Sequence, residues 1–140
     1  MAGISYGLLS SFLLVFLLRR KFLSNTKNFF SRLISKFRVN YFDVFFLSFC
    51  AGVGEEIFFR AAIQPWLGIW LTSLLFIGLH GYLNLKDKPL FIYGVVLFFV
   101  SLGFGFLMEY AGLWSAMIAH FLIDVLLLSE LKKKSLLQGT

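Results

Sequence analysis

The 140-residue chain carries thirteen Lys and Arg against seven Asp and Glu, a net charge of +6, yet only 14% of it is charged and 59% is hydrophobic. With a mean hydropathy of +0.86 it has too little polar surface for a water-soluble domain, so the bilayer is its solvent. Nucleic-acid binding is the poorer account of the positive charge, because the cations flank apolar runs, where anionic headgroups and membrane topology explain them.

Windows of about 20 apolar residues mark membrane helices. On that rule the chain holds about five, near residues 4–18, 41–63, 66–85, 90–108 and 111–128, the first of them short. No loop is long enough to fold separately and no internal repeat is visible, so residues 1–140 are expected to form a single all-α membrane domain, a polytopic helical bundle. The first window is not preceded by a cationic leader, and it is expected to be retained as an anchor. In the connector that follows, Phe29, Phe30, Leu33, Ile34 and Phe37 recur at helical spacing among Lys27, Arg32, Lys36 and Arg38. This pattern predicts a short basic helix in the headgroup layer.

Twelve of the cations fall on one side when the windows are counted: Arg19, Arg20, Lys21, Lys27, Arg32, Lys36 and Arg38, then Lys86 and Lys88, then Lys132, Lys133 and Lys134. The positive-inside rule makes that side cytoplasmic, with the N-terminus outside and the C-terminus inside. Arg60 is the exception. Cys50 is the only cysteine, so an intramolecular disulfide is excluded, and a lone thiol in an apolar helix is expected to pack. The fourth window, with Gly94, Ser101, Gly103 and Gly105, reads as a packing helix without a reactive group.

Within the windows the strongly polar residues are Glu55, Glu56, Arg60, Gln64, His80, His120 and Asp124, with Asn84 near a helix end. A charged group at the centre of a membrane helix costs about 2.5–3.5 kcal/mol on insertion scales unless partners offset it. Glu56 and Arg60 are four apart with the acid first, the favoured order for a helical ion pair, which leaves Glu55 free. Phe76 and His80 share that spacing, as do His120 and Asp124. Gly112, Ala116, His120 and Asp124 form a stripe of the last window whose small residues let a neighbouring helix approach. Any one of these polar groups can be a plain interhelical hydrogen bond, worth about 1–2 kcal/mol. Two Glu, two His and an Asp together are the inventory that activates water and stabilises an oxyanion, or that binds a metal. At 1.5 Å of rise per residue, Glu55 lies about 3–9 Å deeper than the histidines and Asp124, a mismatch that tilt or a distortion at Gly52-Val53-Gly54 can absorb.

Glu55-Glu56-x-x-x-Arg60, Phe76-x-x-x-His80 and His120-x-x-x-Asp124, in that order and within successive helices, resemble the three motifs of the CPBP family. That family comprises the type II CAAX prenyl endopeptidases and the bacteriocin-processing or immunity proteins, also called ABI proteins. The flanking Phe58-Phe59-Arg60-Ala61 and Ser73-Leu74-Leu75-Phe76-Ile77-Gly78-Leu79-His80 fit as well. The resemblance implies a catalytic core over residues 41–128 behind an N-terminal anchor and basic connector at 1–40. It implies an intramembrane endopeptidase cutting near the cytoplasmic face, in which Glu55 with His80 activates water. His120 and Asp124 stabilise the oxyanion, and Glu56 and Arg60 support the site. Because an ionised Asp cannot donate a hydrogen bond, Asp124 is expected to act by polarising His120.

Glu55, His80, His120 and Asp124 are also a ligand set for Zn²⁺ with an open water position. No HExxH cluster places two ligands on one helix, and the reading favours a site without metal or other cofactor. The expected partners are membrane lipids and a peptide or lipidated-protein substrate. One rival is a non-proteolytic immunity or scaffold relative; another is a proton-coupled transporter, disfavoured by the lack of a repeated half. Substrate identity and oligomeric state are left open by the sequence.

Overall fold

The computed structural model describes residues 1–37 and 39–138, leaving Arg38 of the basic connector, and the side chains of Leu33 and of residues 135–138, outside the described residues. These residues form helices without strands: α1 (Ala2–Leu18), a 3-10 turn (Lys21–Leu23), α2 (Ser24–Lys36), α3 (Tyr41–Glu56), a π-helical segment (Ile57–Ile63), α4 (Gln64–Leu79), α5 (Lys88–Ala111) and α6 (Leu113–Gln138). Among the described residues, Tyr41–Leu79, Lys88–Ala111 and Leu113–Lys134 are long and apolar enough to cross a membrane. A fourth crossing arises if Ala2–Leu18 is joined to Lys21–Lys36, which bends from it by 81°. The protein is an all-α membrane bundle.

Tyr41–Leu79 is a hairpin and not one long rod. Arg60 Nη1 donates to Ser73 Oγ at 3.2 Å, whereas thirteen residues of straight helix would separate them by about 20 Å. The reversal is at Gly68, whose φ of 72° and ψ of 172° interrupt α4. That conformation is essentially reserved for glycine. Gly112 repeats it, with φ 80° and ψ 165°, where α5 turns into α6. Trp66, Tyr110 and Trp114 are exposed beside the two reversals, as aromatic side chains are at a membrane interface.

The limb after Gly68 ends at Leu79, short of the expected residue 85. Gly81, at φ 76°, supplies the left-handed residue of a Schellman stop, with Tyr82 N–H bonded to Ile77 O and Gly81 N–H to Gly78 O. Eleven helical residues rise about 16 Å, roughly half of a hydrocarbon core about 30 Å thick. His80 therefore caps a half-depth helix. The non-helical chain that follows leads to Asp87, whose side chain accepts from Leu90 N–H and caps α5.

The expected distortion at Gly52-Val53-Gly54 is absent; α3 is regular there, and the widened turn lies downstream at Ile57–Ile63. Pro65 accounts for it. A proline inside a helical run removes an N–H and crowds the preceding turn, and a π turn, closed here by Gln64 N–H to Phe59 O, relieves that crowding.

α6 is the central helix. A Cβ on Gly7 would lie 2.9 Å from Ala119 Cα, so α1 and α6 are in backbone contact through small residues. Gly52 likewise brings α3 against Met117 and Phe121. Of the expected small stripe, Ala116 is buried, with Ala119 beside it, while Gly112 forms the turn itself. Helix α6 continues past residue 128, where a tail was expected, and its extension binds the connector. Glu130 accepts from Arg19 at 2.8 Å and from Lys27 at 2.7 Å, and Ser31 donates to Leu131 O. Thus α2 docks on α6 through its polar side, leaving Phe29 and Phe37 exposed outward. Cys50 is exposed on the outer surface and not packed in the core.

Candidate active site

The two carboxylates of the α3 motif point into different surroundings. Glu56 is fully buried, and its Oε2 accepts from Arg60 Nε at 3.3 Å, the expected pair. Its Oε1 is 2.8 Å from His120 Nδ1 on α6. Arg60, also fully buried, extends the network: Nη1 donates to Gln64 Oε1 and Ser73 Oγ at 3.4 and 3.2 Å, and Nη2 to Ser101 Oγ at 2.6 Å. Gln64 in turn donates to Gly105 O at 3.1 Å. A buried guanidinium is tolerable only when its charge is paired and its fork of donors is occupied, and these residues meet both conditions. The α5 helix, expected only to pack, supplies Ser101 to that end.

Glu55 faces the other way. Its Oε2 lies 3.5 Å from His80 Nε2 and 3.9 Å from His120 Nε2, and it is a buried oxygen without a hydrogen bond. So Glu55 is not free. Glu55, His80 and His120 come from α3, the end of the half-depth limb and α6, and they converge within hydrogen-bonding range of one small volume. Asp124 joins them, with Oδ2 at 3.5 Å from His120 Nε2.

Each imidazole has a fixed plane. His80 Nδ1 lies 2.8 Å from Phe76 O, an acceptor only, so Nδ1 carries a proton and Nε2 is the nitrogen turned towards Glu55. Phe76 also lies against the His80 ring, at 4.3 Å between centroids, and meets His120 edge-on. Phe104 stacks on His120 at 5.1 Å. His120 is thus held by a carboxylate on Nδ1 and by aromatic faces, and its Nε2 looks into the cavity.

That cavity has a volume of about 180 Å³ and is lined by Glu55, His80, His120 and Asp124 together with Tyr82, Tyr93 and the apolar side chains of Leu97, Val100, Ile123 and Leu127. The non-helical chain after His80 forms part of its wall; irregular backbone at membrane depth occurs only where it is buried or lines such a space. Among the described residues no group of three or more His, Cys, Asp or Glu is arranged to hold a metal ion.

The family model for type II CAAX prenyl endopeptidases, Rce1-like, matches residues 37–126. The chain belongs to this family. An uncharacterised protein of Bacillus subtilis, YpbD, is 32% identical over 90 residues, which are 64% of this chain and 46% of that relative. The chain thus spans about half the length of the curated relative it matches. No solved structure matches it.

Family membership and the apolar helices make it an integral membrane protein. Sequence reasoning named the charged members of the site but missed Ser73, Ser101, Tyr82 and Tyr93. Serine and tyrosine are cheap in a membrane helix and carry no alarm of their own. Only the unmet fork of Arg60 signals that hydroxyl partners must exist.

Proposed function

We propose that the chain is an intramembrane endopeptidase that hydrolyses a peptide bond with water activated by Glu55 and His80. The observation that carries the reading is the 3.5 Å approach of Glu55 Oε2 to His80 Nε2 across a cavity, in a member of the CAAX endopeptidase family. Glu55 and His80 both line the cavity, and a water held there between them can lose a proton to either base.

In this mechanism the water oxygen bonds to the scissile carbonyl carbon, Glu55 takes a water proton, and the C=O electron pair moves onto oxygen. His120 in its imidazolium form, oriented by Glu56, donates Nε2–H to that oxyanion, and Asp124 assists through the same ring. When the pair returns, the C–N bond breaks and the departing nitrogen receives the proton held by Glu55. Glu56 and Arg60 position the base and do not touch the substrate.

The core over residues 41–128 carries this chemistry, behind an anchor and connector at 1–40. The substrate is a peptide or lipidated-protein segment that enters from the membrane. The basic end, where Arg19, Lys27 and Lys132 lie near Glu130 and Val39, faces the cytoplasm, with the N-terminus outside. The test is cleavage of a peptide library by the purified protein in lipid, wild type beside Glu55→Gln, with and without a chelator. Cleavage by the wild type alone, unchanged by chelator, is expected; equal cleavage by Glu55→Gln sinks the proposal.

A further inference from the structure

The site described so far is rich in acceptors and short of donors. Glu55 and Asp124 offer only acceptor oxygens when ionised, His80 spends Nδ1–H on Phe76 O, and His120 spends Nδ1 on Glu56. Hydrolysis requires donors aimed at the oxygen on which charge develops. His120 Nε2–H supplies one only while both ring nitrogens are protonated. A tetrahedral oxyanion facing the carboxylates of Glu55 and Asp124 needs donors whose protons are not shared with that cluster.

Two phenols line the same cavity. Tyr82 follows the Gly81 stop directly, and its ring lies parallel to His80, 8° apart in plane with centroids at 6.3 Å. Tyr93, on the first turns of α5, is 4% exposed and meets Tyr82 edge-on at 6.1 Å. Among the described residues neither hydroxyl has a protein hydrogen-bond partner. Neither oxygen is among the buried unpaired atoms of the described residues, so both are open to whatever fills the cavity, where a tyrosine hydroxyl usually finds a partner. Two such groups on the cavity that holds the bases call for a shared partner.

The backbone is built to bring Tyr82 there. A Cβ on Gly94 would lie 2.7 Å from Tyr82 O and 2.8 Å from its Cβ, so glycine at that position lets the post-His80 chain press against α5. The half-depth stop of α4 and the missing side chain on α5 thus fix one phenol beside His80 and next to the other phenol.

We propose that Tyr82 and Tyr93 donate hydrogen bonds to the carbonyl oxygen of the peptide bond being cut and to the oxyanion it becomes. A phenol keeps its proton at neutral pH whatever the state of the Glu–His cluster. The inference rests on the endopeptidase reading and names the donors that reading lacks.

The test uses the full chain in lipid, with Tyr82→Phe and Tyr93→Phe beside the wild type, a cleaved peptide, and a phosphinic peptide as the tetrahedral mimic. Each Phe variant should lower kcat by about 10²-fold with KM nearly unchanged, in the range seen for loss of one oxyanion donor. Binding of the phosphinic peptide should weaken in parallel, while thermal unfolding in detergent stays at the wild-type temperature. If the wild type cleaves and both Phe variants cleave within twofold of it, the phenols are not donors and only this inference falls. A loss of kcat accompanied by a lower unfolding temperature and unchanged phosphinic-peptide affinity assigns them a structural role and overturns it too. A wild type that cleaves nothing in a Glu55-dependent way removes the endopeptidase reading and this inference together.

Discussion

His120 and Glu56 are joined at 2.8 Å through Nδ1 and Oε1, while the other oxygen of that carboxylate accepts from Arg60. One buried carboxylate therefore does two jobs: it aims an imidazole into the cavity and neutralises a guanidinium behind it. Its neighbour Glu55 is 32% exposed at the side chain and leaves Oε2 unbonded. Consecutive helical residues do not share a face, and this divergence splits the adjacent acids into a structural anchor and a group on the cavity wall.

The split predicts unequal effects on stability. Glu56→Gln strands the fully buried Arg60 charge and should cost about 3–5 kcal/mol, as breaking a buried pair does. Glu55→Gln should cost less, about 0–1 kcal/mol, since Glu55 is part exposed and meets His80 and His120 only at 3.5 and 3.9 Å. Thermal unfolding in detergent measures both, and a Glu56→Gln protein as stable as wild type would show that Arg60 is paired elsewhere.

Arg60→Lys keeps the charge but cannot reproduce the fork that reaches Glu56, Gln64, Ser73 and Ser101. Hydrogen bonds to charged groups contribute about 1.5–3 kcal/mol each, so Arg60→Lys should destabilise by more than Ser101→Ala, which removes a single acceptor. Equal losses in the two variants would contradict the described network.

The fold and the reactive groups were legible in the sequence to different depths. Hydropathy located the membrane helices, and the cost of burying Glu55, Glu56, Arg60, His80, His120 and Asp124 singled those residues out. The pairing of Glu56 with His120 was not legible, because it joins helices 64 residues apart and no spacing rule reaches that far. The end of α4 at Leu79 was masked by Tyr82, Leu83 and Leu85, which extend the apolar run while Gly81 stops the helix. Gly68 was equally hidden, since an isolated glycine in an apolar run reads as tolerated. The extension of α6 past residue 128 rests on Glu130 meeting Arg19 and Lys27, a tertiary contact that composition reads only as a charged tail.

Two glycines separate backbone need from space. Gly68 has open space where a Cβ would go but a φ of 72°, so Gly68→Ala should cost about 1–3 kcal/mol through strain alone. Gly54 has the same open space in regular helix, and Gly54→Ala should gain about 0.5–1 kcal/mol from the better helix former. Unfolding temperatures of the two variants should shift in opposite directions.

Asp124→Asn tests what holds the oxyanion side of the site, on the endopeptidase reading. Asp124 Oδ2 lies 3.5 Å from His120 Nε2, whereas Glu56 holds Nδ1 at 2.8 Å, so the ring keeps its orientation without the Asp124 charge. Asparagine also brings an N–H donor to the same place. Asp124→Asn should therefore retain measurable cleavage, within about 10-fold of wild-type kcat, whereas loss of the base in Glu55→Gln removes at least the 10²–10⁴-fold that general-base catalysis contributes. Single-turnover rates on one peptide, compared across the three proteins, measure both effects. Should Asp124→Asn be the inactive protein and Glu55→Gln the active one, the base is Asp124, and the roles of the two carboxylates exchange.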